Sequence, residues 1–116
     1  MKAVTRRVRK IRGAMIARLW RGYRPREKAD GYRVILLQQT LPNINKRRGG
    51  YRGSFVLERT INGEIEFLII SLWESIDAVR RVAGPKDERA VIHEEATAFL
   101  TRYDPESVHY AYHENK

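Results

Sequence analysis

The sequence predicts an α+β domain built on one antiparallel sheet, and three observations support that prediction. Strand-like and helix-like hydropathy patterns follow one another along the 116 residues in the order β–α–β–β–α–α–β. Asn62-Gly63 marks a tight hairpin near the middle of the chain, because both positions of a type I′ turn need a positive φ. The chain has no cysteine and is 42% apolar, which is enough for one core without disulfide or thiolate staples.

The first half of the domain is predicted to contain a strand, a helix and a loop. Residues 15–21 alternate apolar and basic side chains after the first pair, as a half-buried strand does, and residues 22–25 break that pattern. Pro25 suits the first turn of a helix, and apolar residues at helical spacing follow it. Pro42 ends or bends that helix. The basic, glycine-terminated segment 43–50 is then expected to be a loop.

The central hairpin is predicted to pair segment 51–61 with segment 64–73. The second segment contains the run FLIISL at 67–72, which is largely apolar on both parities, so this strand is expected to be buried on both faces. The helices of so small a domain cover only one face of its sheet. Because a large apolar patch is rarely left in water, a second copy of the chain is expected to cover the other face.

Two helices and a strand are predicted after the hairpin. Ser75 is placed to cap a short helix over 76–83, which Gly84-Pro85 ends. Residues 87–100 form a further helical stretch, and residues 108–113 alternate as a last strand. Together the elements predict a split βαβ, ferredoxin-like arrangement, with the helices packed on one face of the sheet.

Positive charge is concentrated at the start of the chain. The formal net charge is +9, and residues 1–14 contribute +6 of it without any acidic residue. We expect residues 1–14 to be a disordered extension and residues 15–116 to form the folded domain. Such an arm can bind nucleic-acid phosphates, an acidic membrane surface or nothing. No apolar run resembles a secretory signal or is long enough to cross a bilayer, so the chain is expected to be cytoplasmic and not membrane-bound.

Six stretches of the chain match a known family pattern: MIARLWRG at 15–22, LP at 41–42, GYRGSFVLER at 50–59, the hairpin at 62–63, FLIISLWESIDAVRRVAG at 67–84 and VHYAYH at 108–113. Through them residues 15–113 resemble the antibiotic biosynthesis monooxygenase (ABM) domain, a member of the dimeric α+β barrel superfamily. The resemblance implies a homodimer whose two sheets pack into a barrel, with a small pocket between sheet and helices in each subunit. It also implies one of several activities, among them cofactor-free oxygenation of polycyclic aromatic substrates and heme degradation.

The residues do not favour the heme-degrading branch of that superfamily. That branch uses an Asn on the first strand, the Trp of the strand-to-helix segment and a His on the next helix. Trp73 matches the tryptophan, but the first strand offers Arg18 and Trp20 where the Asn would be, and 76–83 contains no His. We therefore expect no heme degradation and no cofactor.

The candidate pocket residues are aromatic, basic or titratable side chains on the predicted elements: Trp73, Tyr32, Tyr110, Tyr112, Arg18, Trp20 and His93. Trp73 can stack on an aromatic ligand or anchor the short helix to the core. Tyr110 and Tyr112 can line a pocket, form the dimer seam or be ordinary half-buried strand residues. His93, beside two acids, is either a proton shuttle or a surface histidine.

No metal site is predicted from the sequence. His109 and His113 share one parity of the last strand but lie about 13 Å apart along it, too far to bind one ion together. No helix has histidines at i and i+4 with an acid nearby. The basic loop that includes Lys46 and Arg52 can draw an anionic substrate towards a pocket or simply be solvated.

These observations favour a homodimeric ABM-like protein that binds a small aromatic or apolar molecule. Its candidate reaction is a cofactor-independent monooxygenation, in which the polar side chains hold a substrate anion. The catalytic residues are not identified by the sequence. A non-catalytic ligand-binding or scaffold dimer of the same fold is the second interpretation, and nucleic-acid binding through residues 1–14 is the third.

Overall fold

The computed structural model describes residues 14–42, 49–83 and 100–115. Several predicted features fall outside these residues. They are the basic extension apart from Ala14, loop residues 43–48, the helix stop at 84–85, the helical stretch 87–100 apart from Leu100, and His93.

The described residues form one antiparallel sheet of five strands: β1 (Ile16–Pro25), β2 (Tyr51–Ile61), β3 (Glu64–Trp73), β4 (Arg102–Tyr103) and β5 (Val108–Ala111). The order across the sheet is β2-β3-β1, and the two short strands β4 and β5 pair with the remaining side of β1. The predicted antiparallel α+β fold is confirmed. The packing of two sheets into a barrel stays a prediction.

Within the described part of the chain, two helices lie on one face of this sheet. After a 3-10 turn (Arg26–Lys28), helix α1 (Ala29–Ile35) runs directly into a π-helical turn (Leu36–Thr40). Helix α2 (Ile76–Ala83) follows β3, and its capping residue is the predicted one. The Ala78 N–H donates a 3.1 Å hydrogen bond to Ser75 Oγ, which satisfies one of the orphan donors of the first turn.

The central hairpin has the predicted turn. Asn62 and Gly63 have φ of 48° and 81°, as a type I′ turn requires, and β2 and β3 have the predicted bounds. The ladder between the strands shifts register between Tyr51 and Gly53, which leaves Arg52 as the extra residue of a bulge.

Two predicted strand boundaries are wrong, and one strand was not predicted. Residues 22–25 were expected to break the first strand, but β1 continues to Pro25 because β3 supplies a partner for each of these residues. The last strand ends at Ala111 rather than at residue 113. Strand β4 was not predicted, since two residues are too few to show a period.

The described residues of the helix-covered face form two separate apolar clusters. The cluster beneath α1 consists of Ala29, Tyr32, Leu36, Phe67 and Ile69. The cluster beneath α2 consists of Ile16, Trp73, Ile76, Ala78 and Val79. Burying such side chains is the main favourable contribution to the stability of each end.

The opposite face of the sheet, which we call the outer face, also carries apolar side chains, and these are far from buried. Phe55 is 58% exposed, and Leu57, Val108 and Tyr110 are also classed as exposed. Alternate residues of β3, namely Leu68, Ile70 and Leu72, are only half-buried on this side. The predicted burial of β3 is found on the helix-facing side, whereas its apolar side chains on the outer face are only half-buried in the single chain. Their burial by a second copy stays a prediction.

A cluster of polar groups around Glu66 lies at one end of the outer face. The Glu66 carboxylate is buried and accepts hydrogen bonds from Tyr23 Oη and Arg59 Nε, both at 2.8 Å, with Arg21 Nε at 3.9 Å. The hydrogen bond from Arg59 lowers the pKa of Glu66, and this effect outweighs burial, which raises it. Burial and the bond to Glu66 in turn raise the pKa of Tyr23.

This cluster should make the folded state sensitive to acid. Because the folded pKa of Glu66 lies below its unfolded value of about 4.3, its stabilisation is complete above that pH and is lost as the pH falls through the folded pKa. We expect Glu66→Gln to reduce the loss of stability between about pH 6 and about pH 3. Urea midpoints measured across that range test this, with Glu114→Gln as a control that should follow the wild type. Parallel curves for wild type and Glu66→Gln would contradict it.

Candidate functional site

Four polar side chains lie in register across the helix-facing side of the sheet. In order they are His109 on β5, Arg18 on β1, Ser71 on β3 and Ser54 on β2. We call these four residues the polar row. It lies between the levels of Ile69 and Trp73, and therefore between the two apolar clusters.

The residues of the polar row break the hydropathy pattern of the strands that carry them. Arg18 occupies the parity of β1 that also carries Ile16 and Trp20, and it is only 8% exposed. Ser71 interrupts the inward parity of β3 and is 6% exposed. Burying polar groups in an apolar interior costs free energy unless they are hydrogen-bonded, so such violations of the pattern are expected at functional sites.

Arg18 and His109 form the charged half of the row. Arg18 Nη1 lies 2.7 Å from His109 Nε2. Since a guanidinium can only donate, Nε2 accepts this hydrogen bond, and the imidazole is the neutral tautomer with its proton on Nδ1. An acceptor of this kind orients the guanidinium. The planar guanidinium fork is the side-chain group that best matches an oxyanion of a ligand.

Serines and aromatic rings form the other half. Trp73 Nε1 donates a 2.9 Å hydrogen bond to Ser71 Oγ, while the Ser71 hydroxyl retains its own proton for a further acceptor. Tyr51 packs edge-on against Trp73 at a centroid distance of 5.2 Å, and its hydroxyl lies 2.5 Å from Ser54 Oγ. The two rings are thus held in fixed orientations beside the row.

The structure brings two of the predicted pocket residues together at this site, Arg18 within the row and Trp73 beside it. Trp73 is 2% exposed and belongs to the cluster beneath α2, so it anchors that helix as well as bordering the row. Trp20 lies two residues further along the same face of β1. Its Nε1 donates to the Asp104 carbonyl at 2.6 Å, which ties the strand to the segment after β4.

The other predicted residues lie elsewhere. Tyr32 is fully buried in the cluster beneath α1, edge-on to Phe67, and its hydroxyl has no hydrogen-bond partner among the described residues. Burial raises the pKa of Tyr32. Tyr110 pairs with Ala17 and is exposed on the outer face. Tyr112 follows β5, and its backbone N–H donates to the Met15 carbonyl.

Sequence reasoning missed three members of the site. His109 was considered only as a metal ligand, and Ser54 and Ser71 carry no local mark of function. The signal that was available is the hydropathy violation at Arg18, which points to a partner on a neighbouring strand. Within residues 14–42, 49–83 and 100–115, no group of three His, Asp or Glu side chains is placed to hold a metal ion.

Comparisons with known proteins identify the fold. No family model matches the chain, and no curated protein matches it. A solved structure from Bacillus cereus, described as a "putative antibiotic biosynthesis monooxygenase", is similar to it with a TM-score of 0.60 and 18% sequence identity. The match covers 90% of this chain and 98% of the other. The chain has the ABM fold.

The match confirms the antiparallel α+β fold that the sequence motifs predicted, while the dimeric barrel and its pocket stay predictions. At 18% identity the likeness shows the fold alone, so the chemistry has to be argued from the residues of this chain. Among the helices that the structure describes, none is long and apolar enough to span a membrane.

Proposed function

We propose that this ABM-fold protein is a homodimer that binds a small, largely aromatic or apolar molecule between its sheet and helices. The observation that carries the proposal is the polar row, in which a buried arginine, a half-buried histidine and two serines cross an otherwise apolar surface. A ligand with a flat apolar body and one ionisable oxygen matches this surface. Its body would contact the apolar clusters, and its oxygen would meet Arg18 and Ser71.

The proposed reaction is a cofactor-independent monooxygenation. The ionisable hydroxyl of the aromatic substrate loses a proton, and the resulting anion, with its charge delocalised onto a ring carbon that carries hydrogen, passes one electron to O₂. The two radicals combine into a hydroperoxide, which loses water and leaves a carbonyl. One oxygen atom enters the product and the other leaves as water, with all electrons supplied by substrate. Arg18 would stabilise the substrate anion electrostatically, which is the largest contribution that a site of this kind can make.

The outer face supports the dimer. It combines exposed Phe55 and Leu57 with half-buried Leu68, Ile70 and Leu72, which together form a contiguous apolar surface across β2 and β3. A second copy packed on it would remove these side chains from water. A cytoplasmic location is also part of the proposal, and the lack of cysteine in 116 residues supports it.

A non-catalytic ligand-binding or scaffold dimer is the second candidate. The burial of Trp73, and its contacts with Ile76 and Val79 in one cluster, favour a structural role for this ring. Nucleic-acid binding through residues 1–14 is a third candidate, which rests on the charge of that segment alone.

The proposed function is tested by ligand binding and oxygen uptake of the wild type and an Arg18→Gln variant. We expect naphthols to quench tryptophan fluorescence in the wild type, and Arg18→Gln to weaken binding by about tenfold or more, since a charge-assisted hydrogen bond is lost. Arg18→Lys keeps the positive charge but lacks the planar guanidinium, so its affinity for naphthols should lie between those of the wild type and Arg18→Gln. Arg26→Gln removes an exposed charge on the 3-10 turn and is the control.

Oxygen uptake without added flavin, heme or metal then separates the two leading candidates. Uptake with any bound phenol supports the oxygenase, and tight binding without uptake supports the ligand-binding dimer. Thermal melts of each variant show whether it is folded. Unchanged affinity in a folded Arg18→Gln protein would remove the polar row from the proposal.

A further inference from the structure

A concave surface lies at the start of β2. One wall is formed by the end of the α1 region, and the other by the β2 bulge; the lining residues are Leu37, Leu41, Pro42, Tyr51, Arg52 and Gly53. We call it the β2 groove. Its volume is about 540 Å³, which is within the range of small-molecule sites.

The bulge directs the basic side chain of this groove. Because Tyr51 pairs with Trp73 and Gly53 with Leu72, Arg52 has no place in the ladder between them. Bulges re-aim side chains in this way and are common next to binding sites. Gly53 has a φ of 125°, a conformation that only glycine adopts readily, and a Cβ there would meet no atom within 4 Å. The glycine is therefore required by the bend of the strand and not by crowding.

The guanidinium of Arg52 is loosely held by the protein. Its nearest carboxylate oxygen, on Glu74, is 3.9 Å from Nη1, and the side chain is 45% exposed. By contrast, Arg33 and Arg59 make contacts of 2.6 and 2.8 Å with their carboxylates. A ligand carboxylate can therefore form the short bidentate pair that Glu74 does not form.

The remaining walls suit a flat apolar group. Leu37 is 53% exposed on one side of the groove, so covering it removes apolar area from water. On the other side, the Tyr51 ring is fixed by its edge-on contact with Trp73 and by the hydrogen bond to Ser54. A pre-oriented ring loses little conformational entropy when a ligand packs on it.

We infer that the β2 groove binds a small aromatic carboxylate, with the ring between Leu41 and Tyr51 and the carboxylate on Arg52. Charge complementarity adds to the geometry, because residues 15–52 contain ten basic and only two acidic residues. This site is distinct from the proposed reaction, although its Tyr51 is hydrogen-bonded to Ser54 of the polar row. It does not require catalysis, and an organic acid bound here is a regulator or a cargo.

The inference is tested with two probes of the same shape, 2-naphthoate and its neutral amide, by calorimetry and amide chemical shifts. The wild type is expected to bind the acid about tenfold more tightly than the amide. Arg52→Gln should abolish that preference and leave the affinity for the amide unchanged. Leu37→Gln should lower the affinity for both probes by a few-fold. Arg26→Gln, which removes the same charge elsewhere, should behave as the wild type.

Four outcomes would overturn the inference. The first is equal affinity of the wild type for both probes, and the second is an undiminished preference for the acid in Arg52→Gln. The third is a loss of the preference for the acid in Arg26→Gln that equals the loss in Arg52→Gln, which would show that the acid is attracted by the net charge of the protein. Shifts centred on Arg18 and Ser71 rather than on Leu37 and Gly53 would also overturn it, while supporting the proposed function. Absence of naphthol binding at the polar row would leave the β2 groove unaffected.

Discussion

Phe55→Glu is expected to convert the protein from a dimer into a monomer. Phe55 is exposed on the outer face of β2, so the substitution costs the single chain little. In the dimer the same carboxylate would be buried against apolar side chains, which costs several kcal/mol. A stable dimer of this kind buries on the order of 1,500 Å² in total. Sedimentation at low micromolar concentration should give about twice the 13.6 kDa chain mass for the wild type and the chain mass for the variant.

The control for this experiment lies on the same strand. Thr60 is exposed but has the opposite parity, paired with Ile65 on the helix-facing side. Thr60→Glu introduces the same charge and should leave the dimer intact. A monomeric wild type at low micromolar concentration would remove both the dimer and the barrel from the proposal. Dissociation by both substitutions would show that net charge, and not the outer face, controls association.

Replacing Trp73 is expected to have the largest effect on stability. The ring is buried among Ile16, Ile76 and Val79, and it donates a hydrogen bond to Ser71. Trp73→Ala should lower the free energy of unfolding by about 3–5 kcal/mol, because it leaves a cavity beneath α2. Trp73→Phe keeps a ring and should cost about 1–2 kcal/mol. Urea unfolding measures both changes.

Ligand titration of the Trp73→Phe protein separates the two roles of this residue. If the ring is mainly an anchor, the affinity for naphthols should stay within a few-fold of the wild type. If the ring lines the ligand site, the affinity for naphthols should fall clearly while the free energy of unfolding changes little. A stable Trp73→Ala protein would contradict the anchor role that its burial indicates.

Local signals predicted the elements that local chemistry controls. The Asn62-Gly63 turn and the Ser75 cap depend on a few adjacent residues, and both are found where they were expected. The end of β1 depends instead on β3, which pairs with it as far as Pro25 and keeps Gly22 in the strand. No pattern within residues 22–25 contains that information.

The candidate site was predictable only in part, for the same reason. Arg18 and Trp73 were identified from residue type and position, but their relation to His109 depends on the register of three strands. A shift of one residue would move every side chain of a strand to the other face. Parity within the last strand likewise could not tell which face Tyr110 would occupy, and the pairing with Ala17 decides that it is the outer one.

The division of the interior into two clusters has a consequence for how such a protein can diversify. Among the residues that the structure describes, the cluster beneath α1 and the cluster beneath α2 have no member in common, and the polar row lies between them. Substitutions at sites without shared partners tend to act additively. One end of the interior can therefore be repacked while the other holds the sheet in register. Selection can in this way change the residues on one side of the polar row to suit a new ligand while the fold is kept. This is one physical route by which a single architecture comes to serve unrelated chemistries.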